Sequence, residues 1–276
     1  MKRIRIKGDV IFKQIILVIT AIAALYPVMW LISIAFKSKD QYLANKFFFS
    51  WPLQLTSFES ALKGGRFFLW FMNSAIMTIG SVILCTIIAV FAAYAFAKMR
   101  FKGQDLIMNI LIALMVIPVV VLIVPLFILY TQTKLMATYP GMIIIYAAVC
   151  LPFSVYLLTN FFKTIPHEII EAGIVDGCSS FTILTKVLMP LSGPPITTLI
   201  IVNALWIWNE ILLALVFLSK DNLRTLMVGI TVFKSKYNLE VPTTMAGLLL
   251  TTIPMVVLYI VFQKFFIRGL TAGSIK

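Results

Sequence analysis

Six stretches of this chain are apolar almost without interruption: 15–36, 72–96, 106–130, 142–162, 195–218 and 243–266. Each approaches or exceeds the roughly 20 residues that a helix needs to cross a hydrocarbon core of about 30 Å. The apolar residues run on instead of alternating, which predicts helices and not barrel strands. The expected fold class is an all-α integral membrane protein with six transmembrane helices. An even number of spans puts both ends of the chain on one side. Residues 1–14 then form a cytoplasmic N-terminus and 15–276 a single six-span domain.

The first stretch follows Lys2, Arg3, Arg5 and Lys7, as the core of a signal peptide would. It is too long for that role, and no small-x-small cleavage site follows it, so it reads as a retained span. Pro118 and Pro125 in the third stretch, Pro152 in the fourth and Pro254 in the sixth are expected to kink helices whose neighbours satisfy the freed carbonyls. A bend that shapes a pathway is the other reading. Ala89, Ala93 and Ala97 recur every four residues and put small side chains on one face, where a second helix can pack closely.

The segments between the spans carry the remaining signals. Two outer loops, 37–71 and 219–242, mix aromatic and charged residues: Tyr42, Phe47, Phe48, Phe49 and Trp51 in one, Phe233 and Tyr237 in the other. Such residues anchor a protein at the membrane interface or offer a landing surface to an external partner. The inner loop 163–193 predicts helix, tight turn, helix. Pro166 suits a first turn, and Glu168 and Glu171 favour the positive end of the helix dipole. Gly177 can stop the helix in a left-handed conformation. Ser179 or Ser180 can cap a second short helix that ends at Pro190. The first helix carries Ile169, Ile170, Ile174 and Val175 and is too short to be stable alone in water. Its apolar face needs either this protein's own helix ends or a groove in another protein.

Composition fits this picture. The chain of 276 residues is 61% hydrophobic and 12% charged, against about 25% charged in a soluble domain. A net charge of +13 would suggest nucleic acid in a soluble protein, but no nucleic-acid-binding signature accompanies it. The basic residues sit between apolar runs, where they set topology and meet anionic headgroups of membrane lipid. With both ends inside, inner segments hold 13 Lys and Arg and outer loops 10. The five before the first span carry the orientation, because the first helix usually dominates. Cys85, Cys150 and Cys178 are scattered and His167 is the single histidine, so neither a disulfide framework nor a multi-histidine metal site is expected.

The inner loop also carries a family resemblance. Glu171-Ala172-Gly173, then Gly177 six residues after the glutamate, then Val187-Leu188-Met189-Pro190 resembles the EAA motif of ABC importer permeases. That pattern is E-A-A, three residues, G, nine residues, I-x-L-P. The spacing is matched in full; Gly173, Val187 and Met189 replace Ala, Ile and Leu. The pieces NSAIMTIGSVILCTIIAVFAAYAFAKMRFKG, LPFSVYLLTNFFKTIPHEIIEAGIVDG, WNEILLALVFL and FQKFFIRGLTAGSIK are similar to the MalG-type subunit of carbohydrate importers. The resemblance implies a permease subunit of a sugar importer in a bacterial inner membrane, multi-pass, with both termini cytoplasmic. It implies a second, MalF-like permease, two ATPase subunits on the cytoplasmic face and an extracytoplasmic sugar-binding protein. The coupling residues would be Glu171, Ala172, Gly173, Asp176, Gly177, Val187 and Pro190.

This chain contains no phosphate-cradling G-x-x-x-x-G-K-[ST] and no catalytic constellation. It is not expected to be an enzyme, and ATP and Mg would be bound by the partner ATPase. In the fifth stretch, Asn203, Trp206, Asn209 and Glu210 are the candidates for the translocation pathway. A carboxylate in a bilayer is costly and usually faces a partner or a wet cavity. The alternative function is an ion-coupled secondary transporter that uses Glu210 as its ion site. A membrane enzyme is a third reading, which activity of the chain without partners would support.

Overall fold

The computed structural model describes the backbone of residues 8–63, 65–236 and 241–271 and the side chains of 12–63, 65–231 and 241–263. Lys2, Arg3, Arg5, Lys7, Lys276 and Tyr237 lie outside the described residues, as do the side chains of Phe233, Lys264 and Arg268. Among the described residues every regular element is helical. The long elements are α1 (Gly8–Ala35), α4 (Arg66–Lys98), α5 (Gln104–Val116), α6 (Val119–Gln132), α7 (Tyr139–Thr164), α10 (Gly193–Asn209), α12 (Leu226–Lys236) and α13 (Val241–Thr271). The shorter ones are α2 (Lys39–Ala44), α3 (Thr56–Leu62), α8 (His167–Val175), α9 (Ser180–Leu191) and α11 (Leu212–Phe217).

Four helices are long and apolar enough to cross a membrane: Phe12–Ala35, Arg66–Lys98, Tyr139–Thr164 and Val241–Gln263. They match the expected first, second, fourth and sixth spans. The third and fifth are not the continuous helices that the apolar runs suggested. In the third, α5 and α6 meet at 105°. Pro118 has no N–H to continue the ladder, and its ring pushes the residue before it out of the helical region. Ile117 and Pro118 are accordingly extended, with ψ of 119° and 130°. Pro118 therefore breaks its span, whereas Pro125, Pro152 and Pro254 stay inside helices. In the fifth, α10 stops at Asn209 and α11 restarts at Leu212. A second sharp bend, of 80°, separates α9 from α10.

The chain forms two compact units, residues 1–67 with 230–253 and residues 68–229 with 254–276. In the first, the chain folds back on the end of α1. Lys37 is buried and donates from Nζ to the Asn45 carbonyl at 2.6 Å. Its burial lowers its pKa from the ordinary lysine value. The Gln54 N–H donates to the Phe36 carbonyl at 2.9 Å, and the Ser57 hydroxyl to the Lys37 carbonyl at 2.7 Å. Ser38 and Gln41 make a reciprocal capping box on α2, so the donors of that short helix are satisfied locally.

In the second unit, Ala89, Val90, Ala93 and Phe96 of α4 pack with Val155, Leu158 and Phe162 of α7. Ile170, Ile183, Leu184, Leu188 and Leu199 from α8, α9 and α10 complete this core. Ala89 and Ala93 are fully buried and Ala97 packs at the edge, as the four-residue repeat predicted. Elsewhere in this unit, the segment between α11 and α12 is held to the start of α4. Trp70 Nε1 donates to the Asp221 carbonyl at 3.2 Å, and Asn73 Nδ2 to the carbonyls of Asn222 and Arg224 at 2.9 Å each. Ser74 Oγ accepts from the Leu226 N–H at 2.8 Å. Gly229 makes this seat possible: a Cβ there would lie 2.2 Å from the Trp70 ring. Gly229→Ala is expected to destabilise the protein by about 1–3 kcal/mol through overpacking. Thermal melting of the purified protein reads this, and a wild-type melting temperature counts against the contact.

Candidate functional site

The segment 163–193 folds as a helix, a tight turn and a second helix. Pro166 sits just before α8, at the N-cap, one position earlier than a first-turn proline. The carbonyl of Ile165 accepts from Lys98 Nζ at 2.5 Å, which ties the entry of α8 to the end of α4. At the far end the Cys178 N–H donates to the Gly173 carbonyl at 2.9 Å and the Gly177 N–H to the Ile174 carbonyl at 3.0 Å. This is the Schellman pair, and it needs a left-handed residue at the turn. Gly177 supplies it with φ +76°. Ser179 then caps α9, accepting from the Thr182 N–H at 3.2 Å.

Two expectations about this loop change. The second helix does not end at Pro190. It passes through a widened π turn, Leu184–Leu188, and ends at Leu191. The wider turn lies directly before Pro190, whose ring would meet the carbonyl four residues back in a regular helix. The four apolar residues of α8 also do not share one fate. Ile170 is buried in the core, while Ile174 and Val175 are 60% and 85% exposed. Glu171, Ala172, Asp176, Gly177 and Pro190 are exposed, and Gly173 and Val187 are half-buried. Gly173 has a packing reason to lack a side chain: a Cβ would lie 3.2 Å from Ile183 Cγ1. The loop thus rests one side of α8 on its own protein and leaves an outer surface on which Ile174 and Val175 are the most exposed large apolar side chains, beside Glu171 and Asp176.

The four pathway candidates separate. Asn203 is buried, and its amide donates to Ser154 Oγ at 2.9 Å and toward Cys85 Sγ at 3.7 Å. The Ser154 hydroxyl donates to the Cys150 carbonyl at 2.8 Å. Asn203 therefore joins α4, α7 and α10 in a polar cluster. One side of it borders a cavity of about 260 Å³ that Trp206, Ile117 and Val119 also line, beside the break in the third span. Trp206 stacks edge-on against Tyr146, with ring centroids 6.1 Å apart. Asn209 folds back on its own helix and donates to the Leu205 carbonyl at 2.8 Å.

Glu210 is not a free acid in a span. Its carboxylate accepts the N–H groups of Leu213 and Ala214 at 2.8 and 3.1 Å, and the Tyr146 hydroxyl at 3.0 Å. It caps the start of α11 across the helix break and fastens that break to α7. Helix starts leave backbone donors unsatisfied, and a carboxylate supplies what they need. These bonds give Glu210 a structural role that needs no ion. Tyr146, Ser154 and Cys85 were missed in the sequence, although polar groups inside apolar runs were a visible signal for Tyr146 and Ser154.

Broken spans around a polar cluster, with an exposed helix-turn-helix at the end of the bundle, define the class: a multi-pass membrane transport component. Residues 85–271 match the family described as binding-protein-dependent transport system inner membrane component, and the chain belongs to that family. It is 36% identical over 266 residues to a putative ABC transporter permease from Caldicellulosiruptor sp. strain Rt8B.4, with 95% of each chain covered. It is 30% identical to the trehalose/maltose transport system permease MalG of Thermococcus litoralis, covering 96% of this chain and 98% of that one. It is 32% identical to the sulfoquinovosyl glycerol transport system permease SmoH of Agrobacterium fabrum, covering 94% and 91%. A chain of a bacterial ABC transporter involved in the import of alginate has the same fold, with TM-score 0.85 at 24% identity, covering 96% and 100%. The protein is thus a permease component of an ABC importer and not an enzyme. Its family works with an ATPase and a solute-binding protein.

Proposed function

We propose that this chain is one of two permease subunits of an ATP-driven sugar importer, with oligosaccharides as the substrate class. The observation that carries the coupling role is the outer surface of α8. Ile174 and Val175 stand exposed on a helix aimed by a glycine turn, beside Glu171 and Asp176. A short amphipathic helix of this kind suits a groove in a separate ATPase. Its inner side rests on α4, α7 and α9 through Ile170, so a push on α8 passes into the long helices. The trehalose/maltose relative supports the oligosaccharide class, and the sulfoquinovosyl glycerol relative supports sugars more broadly. In this reading a MalF-like permease pairs with the chain, one of two ATPase subunits docks on its loop 163–193, and both termini are cytoplasmic. Asn203 and Trp206 border the pathway side of the bundle, while Asn209 and Glu210 hold the helix break. Alternating access follows from ATP-driven closure of the ATPase dimer, which rocks the permease halves.

The test is reconstitution. The chain alone in proteoliposomes is expected to take up no sugar. Uptake is expected only with the second permease, the ATPase, the binding protein and ATP. Sugar uptake by the lone chain without ATP sinks the proposal.

A further inference from the structure

We propose that residues 45–53 form a membrane-interface anchor: an aromatic turn that lies in the headgroup–acyl boundary beside the first span and sets its depth. The segment reads Asn-Lys-Phe-Phe-Phe-Ser-Trp-Pro-Leu. Phe47, Phe48 and Phe49 are 64%, 76% and 53% exposed, and Trp51 is 84% exposed. Single exposed apolar residues need no explanation, but a contiguous aromatic patch marks a contact surface.

One hydrogen bond fixes where this patch sits. The Trp30 indole N–H donates to the Lys46 carbonyl at 3.1 Å. Trp30 lies five residues before Ala35, the last residue of α1. At 1.5 Å per residue, the peptide that opens the aromatic run is held about 7–8 Å back along the span, not beyond its end. The neighbouring surface of α1 is itself apolar and exposed, through Tyr26, Val28 and Met29. The patch therefore continues the exposed apolar surface of the span.

The backbone is prepared for a dry setting. Asn45 Oδ1 accepts the N–H groups of both Phe47 and Phe48 at 3.1 Å. The Asn45 carbonyl takes the Lys37 ammonium, and the Pro52 carbonyl takes the Gln41 amide at 2.9 Å. Pro52 has no N–H to satisfy. Unpaired backbone groups are expensive in lipid, and these bonds satisfy the N–H groups of Phe47 and Phe48 and the carbonyls of Asn45 and Pro52. Charge points the same way. Between Asp40 and Glu59 the sequence holds one charged side chain, Lys46, whose sign suits anionic headgroups. Phe and Trp with a basic flank are the composition of interfacial segments, which sit about 5–10 Å into the boundary.

The assembled importer in nanodiscs of phosphatidylcholine and phosphatidylglycerol tests this. Emission of the wild type minus that of W51F isolates Trp51. The difference spectrum is expected to be blue-shifted, quenched by lipid brominated near the head of its acyl chains, and unaffected by aqueous iodide. N45A removes the acceptor for Phe47 and Phe48 and is expected to shift Trp51 emission to the red with loss of bromolipid quenching. Quenching by iodide and not by bromolipid overturns the anchor. A Trp51 shift that arises only when the solute-binding protein is added also overturns it and assigns the turn to protein docking.

Discussion

Gly177→Val is expected to strip the ATPase from the complex while leaving the permease in the membrane. No heavy atom lies within 4 Å of a Cβ built at Gly177, so the substitution meets no steric wall. Its cost is in the backbone. At φ +76° a β-branched residue is in a disfavoured region, and such strain is on the order of 1–3 kcal/mol. Relief comes by opening the Schellman pair between Gly173, Ile174, Gly177 and Cys178, which re-aims α8. If the strain is felt in docking, affinity falls roughly five- to a hundredfold, since 1.4 kcal/mol is about tenfold. The long helices lie outside the turn, so insertion and pairing with the second permease should survive. Gly177→Asn is the control, because asparagine tolerates positive φ better than other side chains. Co-purification of the ATPase and sugar-stimulated ATP hydrolysis are the measurements. A Val variant that keeps its ATPase at wild-type stoichiometry and transports at wild-type rate ends this account of the turn.

The second large effect is expected at the break in the fifth span. Tyr146→Phe removes one of three hydrogen bonds to the Glu210 carboxylate and should cost about 1.5–3 kcal/mol, the range for bonds to a charged group. Glu210→Ala removes the acceptor itself and leaves the Leu213 and Ala214 N–H groups unpaired, so it should cost more. Glu210→Gln keeps the shape and one acceptor oxygen and should fall between wild type and Glu210→Ala, with insertion intact and uptake impaired. The Tyr146→Phe and Glu210→Ala pair should lose less than the sum of its parts, because both act on one bond. Thermal melting of the purified complex measures all four. Melting of Glu210→Ala at the wild-type temperature would falsify the capping role.

Much of the membrane architecture was legible because span formation is a local matter. A run of about 20 apolar residues is costly in water whatever surrounds it. Four of the six runs became uninterrupted helices on that ground alone. The loop 163–193 was legible for a similar reason. Gly177, Ser179 and the acids of α8 act on backbone groups within a few residues, so spacing was enough to place the turn. The third span was misread because proline carries two outcomes with one sequence signature. Pro152 stays in its helix and Pro118 ends one, and what differs is the packing around them.

The sequence by itself determined where the spans lie, that the chain is helical, and how the turn of loop 163–193 is made. These depend on hydrophobic run length and on capping between near neighbours. Only the tertiary structure decided what the polar residues of the spans do. Asn203 meets Ser154 and Cys85 from 49 and 118 positions away, and Glu210 meets Tyr146 from 64. A polar group in an apolar run must find a partner, but which partner depends on how the helices cross. The same holds for α8, where burial of Ile170 and exposure of Ile174 and Val175 were set by the position of α9 and not by their shared chemistry.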